Sequence, residues 1–66
     1  MKIMLNGKPH LLEHALTIQQ LLATLNLANA HVAIEHNAEI IPASTYAQTL
    51  LAADDQVEII HFVGGG

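Results

Sequence analysis

Glu58-Ile59-Ile60-His61-Phe62-Val63-Gly64-Gly65-Gly66 closes the 66-residue sequence, an apolar β-type run that breaks off in three glycines. Valine, isoleucine and phenylalanine favour a pleated, half-buried backbone, so Gln56 to Val63 is predicted as a strand. Glycine has no Cβ and weakens any strand it enters, so pairing is expected to stop at or before Gly64. Fully extended, Gly64 to Gly66 reach roughly 10 Å past the sheet at about 3.3–3.6 Å per residue. Such a tail is slim. The carboxyl of a terminal Gly66, with an ordinary pKa of about 3.3–3.7, is ionised at neutral pH. It can then attack a nucleotide phosphorus inside an enzyme channel too narrow for side chains. A second reading of the same glycines is a frayed end without a role.

The phase of the strand matters as much as its end. Val57 and Ile59 fall on one face, and Glu58, Ile60 and Phe62 on the other. If the first pair faces a helical layer, Ile60 and Phe62 stand exposed beside the tail, and exposed apolar clusters mark partner surfaces. Met4, in the outward phase of an N-terminal strand, would extend the patch.

The upstream segments supply the rest of a small domain. Lys2 to Leu5 alternates, with Ile3 and Leu5 inward, and Asn6-Gly7 is the dipeptide of a type I′ hairpin, whose two central residues need positive φ. A second strand runs from Lys8 to about Glu13, antiparallel to the first; Pro9 cannot donate to a ladder and places it at a sheet edge. Thr17 with Gln20 three residues on matches a capping box. Ile18, Leu21, Leu22 and Leu25 then give one apolar helix face, with Gln19, Gln20 and Thr24 in water and Asn26 or Asn29 as the stop. His31 to Glu35 alternates with Val32 and Ile34 inward, Asn37-Ala38 connects, and Glu39 to Ile41 is a short strand stopped by Pro42. Ala43 to Gln48 reads as a turn of 3₁₀ or α helix with Tyr46 against the body, and Asp54-Asp55 as a turn. The order is α+β: a mixed sheet of four to five strands with one main helix on one face, a single domain over residues 1–66. The helical connection between strands is expected to cross over right-handedly.

Composition excludes several classes. Lys2 and Lys8 are the only lysine or arginine against six carboxylates, a net charge of −4, which leaves no footprint for nucleic acid. Tyr46 and Phe62 alone offer no stacking platform. No stretch has membrane-spanning length, no leader pattern opens the chain, and the cytoplasm is the expected compartment. Five histidines raise the question of a metal. His31 and His36 have odd separation, so on one shared strand they point to opposite faces, and His10 and His14 lie about 13 Å apart along a strand, too far for one ion. No zinc-ligand motif is present, so no metal site is expected. Asp54-Asp55 is explained by turn formation, since adjacent loop residues rarely converge on one substrate atom, and Ser44 has no plausible His and Asp partners nearby in sequence. The chain is therefore expected not to be an enzyme.

One known family shares this pattern. Leu5-Asn6-Gly7, Thr17-Ile18 with Leu21-Leu22, Val32-Ala33-Ile34-Glu35 with Asn37, Ile40-Ile41-Pro42, Tyr46, Asp55 and the ending Glu58 to Gly66 resemble the ubiquitin-like β-grasp sulfur carriers, and among them the thiamine-biosynthesis carriers of the ThiS kind. The resemblance spans nearly the whole chain and implies a β-grasp fold with the last strand central, beside the first. It implies that the Gly66 carboxylate is adenylylated by an E1-like adenylyltransferase (ThiF), which uses ATP and Mg. The adenylate is then converted to a thiocarboxylate with sulfur from a cysteine desulfurase, and the sulfur passes to thiazole synthase (ThiG). The chain itself would bind no cofactor. Gly64 and Gly65 would thread into partner sites, and Ile60, Phe62, Val63 and Met4 would contact partners. Three other readings stay open: the small subunit of molybdopterin synthase, a modifier conjugated to lysines, and an interaction module with an inert tail.

Overall fold

The structure, a computed structural model, describes residues 1–62. The expectations for Val63 and for the tail Gly64 to Gly66 lie outside the described residues.

Five strands and one α-helix appear in the order β1 (Lys2–Leu5), β2 (Lys8–Leu11), α1 (Ile18–Thr24), β3 (Val32–His36), β4 (Glu39–Ile41) and β5 (Gln56–His61), with a 3₁₀ helix over Ala43–Gln48 before the last strand. The sheet order is β2-β1-β5-β3-β4. β5 is thus central, parallel to β1 and antiparallel to β3. The core lies between the sheet and α1. Ile3, Ile18, Leu21, Ile34, Leu51 and Val57 are almost fully enclosed, and Leu12, Leu22, Tyr46 and Ile59 complete the cluster. Each such side chain contributes roughly 1.5–3 kcal/mol by leaving water.

Local chemistry explains the elements. Asn6 (φ 50°) and Gly7 (φ 81°) form the two-residue turn, and beside them Leu5 pairs with Lys8. A Cβ on Gly7 would meet no neighbour, so the positive φ alone calls for glycine. β2 is an edge strand, as Pro9 requires, and its ladder is shorter than the expected run to Glu13. The pairing closes at Leu12, whose N–H donates to the Met1 carbonyl at 2.7 Å, and the chain then turns away so that Leu12 enters the core. Helix α1 begins at the capping box: the Gln20 N–H donates to Thr17 Oγ1 at 3.1 Å and the Thr17 N–H to Gln20 Oε1 at 2.9 Å. It ends where Asn26 takes φ 60°. β3 starts and ends one residue later than its alternation suggested, and His36 joins it opposite Val57.

The β3–β4 turn carries a misfit. Asn37 (φ 50°) and Ala38 (φ 72°) both occupy the left-handed region, as a two-residue hairpin demands, yet Ala38 has a Cβ that clashes there. Replacing Ala38 by glycine relieves that clash at the cost of a freer unfolded chain, for an expected net gain of about 0.5–1 kcal/mol. The gain is read as a higher melting temperature for Ala38→Gly; an unchanged or lower midpoint would contradict the strained turn.

Candidate functional site

β5 decides the geometry of the site. Its even-numbered residues exchange backbone hydrogen bonds with β3, and the Phe62 N–H still donates to the His31 carbonyl at 3.2 Å. Its odd-numbered residues face β1: the Asn6 N–H donates to the Val57 carbonyl at 2.9 Å, and the Ile59 N–H donates to Asn6 Oδ1 at 2.7 Å. Asn6 therefore both makes the hairpin turn and closes the ladder. Past Ile59, β1 has already turned back into β2, and β5 continues with β3 as its only neighbouring strand among the described residues.

The side chains alternate in the expected phase. Val57 and Ile59 are buried against the helix side, while Ile60 (47% exposed) and Phe62 (59%) stand outward. The Phe62 ring meets His31 edge-on, centroids 5.5 Å apart. The structure brings Ile60 and Phe62 together next to the segment that leads into the glycines. It does not bring Met4 beside them. Met4 shares the outward face but pairs with Gln56, four residues and about 13 Å along the strand from Ile60.

Sequence reasoning placed Glu58 on this face but missed Ile40 and Glu35, its neighbours there. Ile40 of β4, 65% exposed, stands opposite Glu35, and Glu35 stands directly opposite Glu58. The two carboxylates sit in a hollow of about 430 Å³ whose remaining walls are Gly7, Asn37, Ala38 and Gln56. Alternation within β4 was enough to put Ile40 outward. The meeting of Glu35 and Glu58 depends on a register across more than twenty residues, for which no local signal exists.

A polar staple fixes the start of β5. Asp55 accepts from the Ala52 N–H (2.9 Å), from His36 Nε2 (2.8 Å) and from Asn37 Nδ2 (3.2 Å), while Asn37 Oδ1 accepts from the Gln56 N–H (2.9 Å). Burial pushes the Asp55 carboxyl up. The hydrogen bonds from Ala52, His36 and Asn37, with the charge of the neighbouring imidazole, lower it by more, and it lies below the ordinary aspartate value. Asp55 is thus more than the turn residue that composition suggested. Asp54 does take the turn conformation (φ 68°) and pairs with Lys2 at 3.4 Å on the surface.

No group of three His, Asp or Glu among the described residues stands close enough to share a metal ion. His10 and His14 line a separate hollow of about 280 Å³ between the β2 edge and the helix. Ser44 lies exposed in the 3₁₀ helix.

A model of the ThiS family matches residues 3–66. The sulfur carrier protein ThiS of Bacillus subtilis is 50% identical over 50 residues, 76% of each chain. Proteins named thiazole synthase from Magnetococcus marinus and Paramagnetospirillum magneticum are 46% and 39% identical over all 66 residues, and the chain spans 20% of the length of each. The crystal structure of the thiamine biosynthesis protein ThiS from Geobacter metallireducens superposes over 100% of both chains with a TM-score of 0.86 at 33% identity. The sheet and helix described above are accordingly the β-grasp fold.

The staple predicts a pH dependence. A carboxyl whose folded pKa is depressed contributes stability that is fully present above the unfolded value, about 3.9, and is lost as pH falls through the folded value. Asp55→Asn is expected to cost about 1–3 kcal/mol at neutral pH and to flatten the acid limb of the stability curve. Denaturant titrations between neutral pH and the acid limb measure both effects; an acid limb as steep as in the parent would contradict the assignment.

Proposed function

The chain belongs to the ThiS family, and we propose that it serves as a protein cosubstrate that carries sulfur for thiazole formation in thiamine biosynthesis. One observation carries the reading: the central strand is held on both sides as far as Ile59, then runs on beside exposed Ile60 and Phe62 toward three glycines.

In this reading the Gly66 carboxylate attacks the α-phosphorus of ATP in a ThiF-like adenylyltransferase, with Mg supplied there, and pyrophosphate leaves. A carboxylate is a poor acyl electrophile, and the adenylate gives it a leaving group. The terminal sulfur of a persulfide charged by a cysteine desulfurase attacks the acyl carbon and displaces AMP; a thiol then cleaves the S–S bond of the acyl disulfide, becoming a disulfide itself and leaving a thiocarboxylate, which is a sulfur nucleophile at neutral pH. Thiazole synthase then takes the sulfur. That recipient is supported by the longer relatives, named thiazole synthase, within which a counterpart of this chain is found. Gly64 and Gly65 give the clearance that a channel closed to water requires. Ile60 and Phe62 form the contact beside the tail, with Val63 and Met4 as further contacts. Catalysis rests with the partner enzymes, this chain holds no cofactor of its own, and the compartment is the cytoplasm. Gly66 must be the last residue of the working chain.

Intact mass tests the reading. After incubation with ATP, Mg, the cognate adenylyltransferase and a sulfur donor, the protein is expected to gain the mass of one oxygen-to-sulfur exchange, and removal of Gly66 is expected to abolish the gain without altering the melting temperature. Phe62→Asp is expected to weaken enzyme binding by about tenfold or more while folding normally, since the ring is mostly exposed. A parent protein that stays unmodified, or a truncated one that still loads, would contradict the proposal.

A further inference from the structure

The outward face of the sheet holds a pair that the fold itself does not use. Glu35 and Glu58 are directly opposite in an antiparallel hydrogen-bonded pair, with Cα atoms about 5.5 Å apart. Like charges in this relation destabilise a sheet. Neither has a cation nearby among the described residues: the two ion pairs there are Lys2–Asp54 and His36–Asp55. Lys2 stands on the outward face but level with the Asp54 turn, about 13 Å along the strand from Glu58. Lys8 pairs with Leu5 and so belongs to the helix-side phase of the edge hairpin. The chain has no other lysine or arginine.

The surroundings of the pair have a shape. The hollow is walled by the side-chain-free Gly7 on one side and by Asn37, Ala38 and Gln56 on the others. Ile40 flanks Glu35 across β4, and Ile60 lies two residues further up β5, opposite Ala33. An arginine entering over the sheet would lay its aliphatic stem on Ile40 or Ile60 and bring a planar fork of N–H donors to two carboxylates. The same face continues to Phe62, toward the tail. A protein that docks on Ile60 and Phe62 therefore reaches this hollow as well.

We propose that Glu35 and Glu58 form a docking socket for a basic side chain, arginine by its geometry, on the surface of thiazole synthase. The inference rests on the sulfur-carrier reading above and adds the chemistry of the partner's contact face: basic at its centre, apolar around it. The cost of opposing two carboxylates in the free protein is offset only when the partner supplies the counter-charge. Binding is accordingly steered by charge and falls with salt.

Calorimetric titration of the protein with its cognate thiazole synthase, at low and at physiological ionic strength, tests this. Glu35→Gln/Glu58→Gln is expected to bind about tenfold or more weakly and with a shallower salt dependence, whereas Glu13→Gln, which removes a carboxylate beyond the β2 edge, stays within about twofold. The melting temperature of the double variant is expected to equal or exceed that of the parent, because the opposed charges are gone. Parent-like affinity of the double variant, with the parent itself binding, would overturn the socket and leave the carrier reading intact. Loss of binding accompanied by a clear fall in melting temperature would overturn it too, by making the pair structural. Failure of the parent to bind thiazole synthase would overturn the named recipient and the socket with it.

Discussion

The structure depends on the capture of one strand between two others. β5 is last in sequence and central in the sheet, and the hydrogen bond from the Ile59 N–H to Asn6 Oδ1 joins residues 53 positions apart. Because the central strand follows the other four, the sheet cannot close until all of them have been made, so contacts of long sequence separation dominate assembly. The same arrangement extends Ile60 and Phe62 from the best-supported part of the domain. Val57 and Ile59 anchor β5 in the core, and the Asp55 staple ties its first residues to β3. That anchorage, with the continuing ladder to β3, positions Ile60 and Phe62.

Asymmetry between the two faces of the sheet turns this anchorage into a usable surface. α1 and the 3₁₀ helix cover one face, and strand alternation sends the inward residues of β1, β3 and β5 into a single core. The opposite face carries no helical layer among the described residues. There the same alternation displays Ile40, Ile60 and Phe62 around two carboxylates. Stability and recognition are thus separated by the two-residue period of the strands. The inward set can be argued from packing alone, while the outward set includes an opposition of like charges that packing does not explain. The proposed carrier role gives such a face a purpose, because a carrier has to be held by its enzymes while its end is worked on.

Much of the fold was legible because its signals are local. Asn6-Gly7, the Thr17 and Gln20 box, Pro9 at an edge and Pro42 after a short strand each act through neighbours in sequence, and each does in the structure what its chemistry requires. The outward phase of Ile60 and Phe62 was legible for the same reason, since Val57 and Ile59 could be assigned to a core. The site was only half readable. Whether Glu35 meets Glu58, or Met4 meets Ile60, is set by register between distant strands, and a shift of one residue would reverse the answer. Asp55 resembled one turn residue among two, because its partners His36 and Asn37 lie some twenty positions earlier. Ala38 marks the converse limit: the connection was foreseen, but the left-handed backbone forced on an alanine was not.

Native-state hydrogen exchange tests the central claim most directly, that the final strand is the clamped centre of the sheet and is released on its β1 side after Ile59. The amides of Val57 to Ile60 are expected in the slowest class, opening only with global unfolding, while the His61 amide, which points away from β3, exchanges faster than that of Ile60. Exchange of Val57 to Ile60 as fast as that of the β2 and β4 edge amides would contradict the account.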